Sequence, residues 1–204
     1  MCNTCNENII DRIYKCHNDI ILNLNNRDLK EIPDVIGRLI NLEELSLSFN
    51  NLEEIPDTNG NLINLHLLNL DYNKLKKIPD TIGNLINLKH LWLACNNLIK
   101  IPKNIGNLIN LQVLYLNNNN LKKIQKSIGN LINLQYLYLH HNKLIKIPIS
   151  KNFNKLINSN KIVFDIHSYN KNYYFKNKII IMPYILKSAH IKKPYKCKII
   201  ISEE

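Results

Sequence analysis

The chain has 204 residues, a formal charge of +11 and a hydrophobic fraction of 45%. This hydrophobic fraction excludes a chain that is disordered along most of its length, and the length suffices for one domain with a sizeable core. The positive charge favours acidic partners without specifying a fold. Much of the lysine accompanies an abundance of Asn, Ile and Tyr, the residues that AT-rich codons encode.

The first 18 residues are predicted to form an N-terminal cap. Residues Glu7 to His17 place apolar side chains on one face and polar side chains on the opposite face, the pattern of a short amphipathic helix. We expect this helix to cover the first unit of the repeat that follows, because an open end of a repeat stack exposes its core. The apolar face of the predicted helix consists of Ile9, Ile10, Ile13 and Tyr14.

The same segment contains residues of the types that bind zinc. Cys2 and Cys5 form a CxxC pair, and Cys16 and His17 follow. A zinc site needs three or four ligands at suitable spacing, but this pair is nearly terminal and its second half is CH instead of CxxC. We therefore favour free thiols and predict no bound metal.

A 23-residue unit recurs six times between Asp19 and Asn158. One unit reads LHLLNLDYNKLKKIPDTIGNLIN (residues 65–87), and the next reads LKHLWLACNNLIKIPKNIGNLIN (residues 88–110). Self-similarity at such a period predicts a solenoid, in which each unit buries its apolar residues against its neighbours. The apolar residues stand at repeat positions 1, 4, 6, 11, 14, 18 and 21, as in Leu65, Leu68, Leu70, Leu75, Ile78, Ile82 and Leu85.

Other repeat positions predict how each unit folds. Positions 4 and 6 alternate with polar residues, which indicates a half-buried strand, and proline at position 15 ends strand growth. Glycine at position 19 is expected to turn the chain back toward the next strand. Asn59 replaces the apolar residue at position 18, so the back of the second unit should be looser. Asparagine at position 9 predicts a structural ladder through the core, formed by Asn50, Asn73, Asn96, Asn119 and Asn142.

The LxxLxLxxNxL strands and IPxxIGNLxNL backs resemble those of leucine-rich-repeat proteins, most closely the intracellular 23-residue class of Ras-group-related and Scribble-type proteins. The resemblance covers residues 19–158 and rests on a specific motif. It implies an α/β solenoid, a horseshoe with a concave parallel sheet and a convex side of loops, 3-10 helices or short helices. It also implies protein binding, with small GTPases, phosphatases or kinases as partner types.

Residues 159–204 are predicted to form a degenerate seventh strand and then a C-terminal cap or a basic tail. The sequence FNKLIN (Phe153–Asn158) realigns with IGNLIN only if two residues are inserted. That offset places a strand at about Lys161 to Asp165, with Ile162 and Phe164 on the core positions and Val163 in the row of Tyr138. Lysines and tyrosines then interleave, a pattern that can bind nucleic acid, although no known nucleic-acid motif accompanies it.

Side chains at positions 3, 5, 7 and 8 are predicted to lie on the concave face or its rim, because successive strand residues alternate between faces. In the last three units these positions carry the only tryptophan together with tyrosines and histidines. Such residues are enriched among binding hot spots, and the alternative is that the rings only pack on each other across strands. The predicted partner-binding residues, here called the aromatic patch, are His90, Trp92, Tyr115, Tyr136, Tyr138, His140 and His141.

Charge is unevenly distributed along the repeat. The second unit holds four glutamates, Glu43, Glu44, Glu53 and Glu54. A solvated edge is the default explanation for the lysines at positions 12 and 13 of the later units. The alternative function is binding of nucleic acid or an anionic surface through this stripe and the tail, which would weaken with salt. The lysine stripe comprises Lys76, Lys77, Lys100, Lys122, Lys123 and Lys146.

No arrangement of residues predicts a catalytic centre or a cofactor site. Cys95 has His90 nearby in sequence but lacks an orienting third group. His140 and His141 are adjacent, so on a strand they would point to opposite sides. Phosphate loops, GxSxG and HExxH motifs are absent from the sequence. We therefore predict an interaction module that is not an enzyme.

Targeting and redox patterns favour a cytoplasmic location. The first twenty residues include charged residues such as Glu7 and Lys15 and lack the apolar core of a secretory signal. The longest apolar run near the C-terminus, Ile179 to Met182, is far too short to span a bilayer. The five cysteines are odd in number and do not form the paired clusters of secreted repeat caps, which favours a reducing environment.

Overall fold

Each repeat unit contributes one short strand, and the strands lie side by side in a single parallel sheet. The computed structural model describes residues 9–15, 19–144, 151–153 and 163–165 of the protein. Seven strands follow each other in chain order across the sheet. They are β1 (Ile21–Asn23), β2 (Glu44–Ser46), β3 (Leu67–Asn69), β4 (His90–Trp92), β5 (Val113–Tyr115), β6 (Tyr136–Tyr138) and β7 (Val163–Asp165).

The register of the first six strands follows the repeat. Leu22 pairs with Leu45, and each later leucine at position 4 pairs with its equivalent in the next unit. The seventh strand lies in the predicted segment, but its predicted register is wrong. Leu137 pairs with Phe164 and Tyr138 pairs with Asp165, where the sequence placed Ile162 and Val163. The connection is therefore longer than a regular repeat by four residues instead of two.

The convex side consists of short 3-10 helices, one in each of the first five units. Proline precedes each of the first four helices, and its ring fixes φ near −67° there. Gln125 adopts a similar conformation before the fifth helix. The carbonyl of Pro33 accepts a hydrogen bond from Ile36 N–H at 3.0 Å, which closes the first turn. The helices are Asp34–Arg38, Asp57–Asn61, Asp80–Asn84, Lys103–Asn107 and Lys126–Asn130.

Glycine at position 19 is required by close packing of one unit on the next. None of the described glycines has a positive φ, so a special turn conformation is not the reason. A Cβ on Gly83 would lie 2.6 Å from the carbonyl oxygen of Asn104 in the following 3-10 helix. The glycine therefore sets the distance between neighbouring units on the convex side.

The core is a continuous column of leucine and isoleucine between the sheet and the 3-10 helices. The leucines at positions 4 and 6 of every described unit are almost completely buried. Asn59 is also buried, with 2% of its surface exposed, at a position where Ile36 and Ile82 stand in the adjacent units. Its 3-10 helix keeps the same length and hydrogen bonds as the others. The expected loosening is therefore not visible in the backbone. The substitution instead leaves the side-chain amide of Asn59 buried without a hydrogen-bond partner among the described residues.

Two rows of asparagine connect the units. The position 9 row lies in the core: Asn96 donates from Nδ2 to the carbonyls of Leu70 and Leu93, at 2.9 and 3.3 Å, and accepts from Leu75 N–H at 3.0 Å. The position 23 row, which the sequence did not suggest, lies at the other end of the unit. There Asn87 Nδ2 donates to the carbonyl of residue 63 in the preceding unit at 3.0 Å.

The N-terminal helix α1 spans Ile9–Lys15 and contacts the first 3-10 helix. Ile13 is buried in the core and Ile9 packs partly against it. The predicted apolar face was wrong for Ile10 and Tyr14, which are 40% and 55% exposed. The zinc-type residues Cys2, Cys5, Cys16 and His17 and the predicted tail lie outside the described residues.

Candidate protein-binding site

Most of the aromatic patch forms a continuous chain of ring contacts on the concave face. Strand register places Trp92 beside Tyr115, and Tyr115 beside Tyr138, at position 5 of three neighbouring units. The Trp92 and Tyr115 rings are stacked with centroids 5.8 Å apart, and the Tyr115 and Tyr138 rings meet edge to face at 4.8 Å. His140 and His141 extend the chain, with ring centroids 5.2 Å apart. The two histidine rings are therefore in contact, although the sequence suggested that they point apart.

The remaining two residues of the predicted patch lie in the position 3 row. His90 and Tyr136 are separated there by Val113, which is 9% exposed. Burial lowers the pKa of His90, and neighbouring Lys89 lowers it further, so the imidazole is neutral at pH 7. Tyr136 is 41% exposed. These two side chains flank the ring chain without joining it.

The indole N–H of Trp92 is covered by neighbouring atoms but donates to no acceptor among the described residues. Leaving such a group unpaired costs about 1–3 kcal/mol. Tryptophan is otherwise well placed here, because part of the ring stays accessible beside Tyr115.

A second aromatic pair, which the sequence reading did not single out, lies at position 8 on the rim of the sheet. Phe49 and Tyr72 are stacked with centroids 4.3 Å apart and an interplanar angle of 8°. Both are about half exposed, and both adopt a left-handed backbone, with φ of 56° and 54°. Bulky residues rarely take this conformation. The thiol of Cys95 beside it raises the pKa of the Tyr72 hydroxyl.

Position 7 side chains link the ends of neighbouring strands. Asn25 Oδ1 accepts from Ser48 N–H at 2.7 Å, and Asp71 Oδ1 accepts from Ala94 N–H at 2.6 Å. Burial raises the pKa of Asp71 to about 6, against the opposing effect of the hydrogen bond from Ala94. The concave face beside the aromatic patch thus contains one carboxyl group that titrates close to neutral pH.

The lysine stripe is neutralised at one end and open at the other. Lys76 Nζ lies 2.6 Å from Glu53 Oε2, and Lys77 Nζ lies 3.2 Å from Glu54 Oε2, one unit earlier. Lys76 accordingly lowers the pKa of Glu53. The sequence has no acidic residue between Asp80 and Asp165, so the later lysines have no equivalent partner in the neighbouring unit. Lys146 lies outside the described residues.

A shallow depression of about 890 Å³ follows the neutralised part of this edge. Its lining is mostly charged, unlike the apolar lining of typical small-molecule pockets. Within residues 9–15, 19–144, 151–153 and 163–165, no group of three metal-ligating side chains comes together. In the same part of the chain, no helix is long and apolar enough to cross a membrane. The depression is lined by Lys30, Glu31, Asn51, Glu53, Glu54, Lys74, Lys76, Lys77, Ile99 and Lys100.

Two sequence-family models match the chain. The model described as "Leucine-rich repeat region" matches residues 79–159, and the model described as "Leucine rich repeat" matches residues 40–99. A comparison with curated protein sequences finds no match.

Solved structures of known proteins are similar in both sequence and shape. A leucine-rich-repeat protein of Leptospira interrogans is 35% identical, with a TM-score of 0.55 over 79% of this chain and 44% of that chain. The plant peptide hormone receptor RGFR1, solved in complex with RGF2, is 34% identical, with a TM-score of 0.63 over 72% of this chain and 24% of that chain. The leucine-rich-repeat ectodomain of the receptor kinase SOBIR1 from Arabidopsis thaliana is 32% identical, with a TM-score of 0.56 over 63% of this chain and 73% of that chain.

These similarities confirm the predicted horseshoe fold. The chain spans less than half the length of the Leptospira protein and of RGFR1. Leucine-rich-repeat proteins are in general interaction modules and not enzymes, in agreement with the prediction from the sequence. Because the SOBIR1 domain is an ectodomain, the similarity extends beyond the intracellular class that the sequence motif most closely resembles.

Proposed function

Because the chain belongs to the leucine-rich-repeat family, a common type of protein–protein interaction module, we propose that it binds a partner protein on its concave face. The aromatic patch is the contact surface in this proposal. Trp92, Tyr115 and Tyr138 are its anchors, and His90, Tyr136 and His140 surround them. The partner packs against the exposed sides of rings that already support each other.

The observation that carries this proposal is the row of rings at position 5. The equivalent residues in the first three units are Asn23, Ser46 and Asn69, which are small and polar. The change to Trp and Tyr therefore affects one side of the arc only, where the rings remain partly exposed instead of entering the core. Large amphipathic rings that are held in place lose little conformational entropy on binding, which is why they dominate hot spots.

Affinity purification from the native cell with the wild-type chain and with Trp92→Ala/Tyr115→Ala tests the proposal. We expect the double variant to lose a specific partner, because truncating a hot-spot residue costs about 2 kcal/mol or more. Asn23→Ala/Ser46→Ala is the matched control, since it alters the same sheet position in the first two units. Unchanged recovery with the patch variant, or equal loss with the control, would sink this assignment of the surface.

We further propose an intracellular partner. The sequence motif is closest to the Ras-group-related and Scribble-type class, whose resemblance implies small GTPases, phosphatases or kinases. The odd number of cysteines supports a reducing setting, and Cys95 is a free thiol in the structure. Fractionation of native cells, with detection of the chain in the cytoplasmic fraction, is the expected result, and recovery from the medium would contradict it.

Binding of nucleic acid or an anionic surface is the second candidate function. The observation that favours it is the stretch of 84 residues between Asp80 and Asp165 that contains no acidic side chain. Contacts between lysine side chains and phosphate groups would make such binding strongly dependent on salt. Gel-shift assays at low salt, with the wild type and with Lys122→Gln/Lys123→Gln, test it. Absence of any retardation at low salt disposes of this candidate.

A further inference from the structure

A row of exposed isoleucines runs along the molecule just before the strands begin, apart from the aromatic patch. At position 22 every one of the five regular units carries isoleucine. These side chains are between 49% and 73% exposed, although leucine at the preceding position 21 is fully buried. The row consists of Ile40, Ile63, Ile86, Ile109 and Ile132.

Backbone hydrogen bonds fix these isoleucines side by side. The carbonyl of Ile63 accepts from Asn87 Nδ2 of the next unit at 3.0 Å, and the same contact recurs along the row. The N–H of Ile86 donates to the carbonyl of Asn84 at 2.8 Å, a tight turn that is repeated at positions 63, 109 and 132. The side chains therefore leave the surface in the same direction, one unit apart, at roughly the 4.8 Å spacing of the strands.

The size of this surface suits one side of an ordinary protein interface. Five half-exposed isoleucines present on the order of 400–500 Å² of contiguous apolar surface, the size of the largest apolar patch on a typical monomer, which is often functional. A standard interface buries about 800 Å² on each partner and is a little more than half apolar. The isoleucine row would supply the apolar share, and the polar share must come from the rows beside it.

The charged row beside it is self-complementary. Position 16 begins each 3-10 helix, with Asp34, Asp57 and Asp80 in the first three units and Lys103 and Lys126 in the next two. All five are exposed. The 3-10 helix covers positions 16 to 20, a rise of about 8 Å, and two further residues lead to position 22. The two rows are therefore at most roughly 15 Å apart, and both fall within one standard interface. Acidic residues at one end and basic residues at the other match a second copy that runs in the opposite direction.

We propose that the isoleucine row is a homodimer interface, occupied by a second copy of this chain in antiparallel orientation. A two-fold axis at Ile86 places Ile63 against Ile109 of the other copy, and the outer isoleucines against each other. The same axis brings Asp57 opposite Lys103, and Asp34 opposite Lys126, while Asp80 lies at the axis and faces Asp80 of the other copy. The dimer therefore gains four pairs of opposite charge against one contact of like charge. This interface contains no residue of the aromatic patch, so each copy keeps its own patch, and the proposal does not rest on the proposed function.

Sedimentation velocity of the full chain, from about 1 to about 100 μM, measures the dimer in the range where modest standard-size interfaces dissociate. We expect a concentration-dependent dimer and a loss of affinity on the order of 100-fold for Ile86→Asp, which places a charge in the apolar contact twice per dimer. The matched control is Ile99→Asp, because Ile99 is 56% exposed but lies on another edge. A monomeric wild type, or equal weakening by the control, would overturn the proposal.

A charge exchange tests the antiparallel orientation. Asp57→Lys alone should weaken the dimer, because the new lysine of each copy then faces Lys103 of the other copy. Asp57→Lys combined with Lys103→Asp should restore wild-type affinity, since the antiparallel pair is merely exchanged. Failure of the double variant to recover, with circular dichroism showing that it is folded, would rule out this orientation and with it the proposed dimer.

Discussion

Replacing Asn59 by isoleucine should stabilise the protein substantially. Asn59 is 2% exposed, and neither its Oδ1 nor its Nδ2 has a hydrogen-bond partner within the described part of the chain. The equivalent residues Ile36 and Ile82 are equally buried in 3-10 helices of the same length. The site between two such neighbours therefore accepts isoleucine without a change of backbone.

The magnitude follows from two contributions. An unsatisfied buried polar group costs about 1–3 kcal/mol, and burying an isoleucine side chain contributes about 1.5–3 kcal/mol. Partial relaxation around the native amide reduces both, so we expect the free energy of unfolding to rise by about 3 kcal/mol. For a chain of this length that corresponds to an increase in Tm of roughly 6–12 °C.

Chemical denaturation followed by the fluorescence of Trp92, together with thermal melts by circular dichroism, measures this change. The mirror variant Ile82→Asn creates the same defect one unit later and should lower the free energy of unfolding by a similar amount. A folded Asn59→Ile protein with unchanged or reduced stability would refute the reasoning, because the amide would then have to be satisfied in solution.

Three further changes test the contacts that hold the units together. Gly83→Ala should destabilise the protein by about 1–3 kcal/mol, because the added methyl group meets the Asn104 carbonyl at 2.6 Å, whereas the exposed neighbour substitution Asn84→Ala should have little effect in the same urea titration. Asn96→Leu should cost about 2–4 kcal/mol in thermal unfolding, since it leaves buried backbone groups of two units unpaired, and a neutral result would contradict the ladder. Asp71→Asn should stabilise the protein by about 1–2 kcal/mol above pH 7, after allowance for partial exposure, because the folded-state pKa of Asp71 is raised to about 6. With its raised pKa, the carboxyl of Asp71 does not destabilise the folded state below about pH 4, where it is protonated in both states, and destabilises it increasingly as pH rises through 6. The stability gained by Asp71→Asn should therefore disappear near pH 4. A gain that is independent of pH would exclude the charge of Asp71 as its origin.

The sequence predicted the fold because one pattern constrained it many times. Each unit repeats the same spacing of Leu, Asn and Pro, so strand positions, register and direction follow once a single unit is assigned. The prediction of register failed at β7, where the repeat is broken. Aligning FNKLIN (Phe153–Asn158) with IGNLIN fixed the end of the sixth unit, but nothing in the sequence fixed how many residues would be used before backbone pairing resumed at Val163.

The site was less predictable because it depends on local geometry between units. The row of Trp92, Tyr115 and Tyr138 followed from strand alternation alone. The Phe49–Tyr72 stack did not, because it depends on a left-handed backbone at position 8 that no residue type there demands. The ion pair between Glu53 and Lys76 was hidden for a similar reason, since its partners are 23 residues apart and meet only through the stack. The signal that could have found both is a comparison of the same position in successive units.

The uniform register of β1 to β6 also bears on how the gene for such a protein can change. Because every strand pairs with the residue 23 positions away, loss or duplication of one whole unit joins surfaces that already fit each other. Removing residues 65–87, for example, would bring Leu88 into the place of Leu65 and leave each core row intact but one member shorter. Unequal recombination can therefore alter the reach of the arc in steps of one strand while leaving the aromatic side of the protein unchanged.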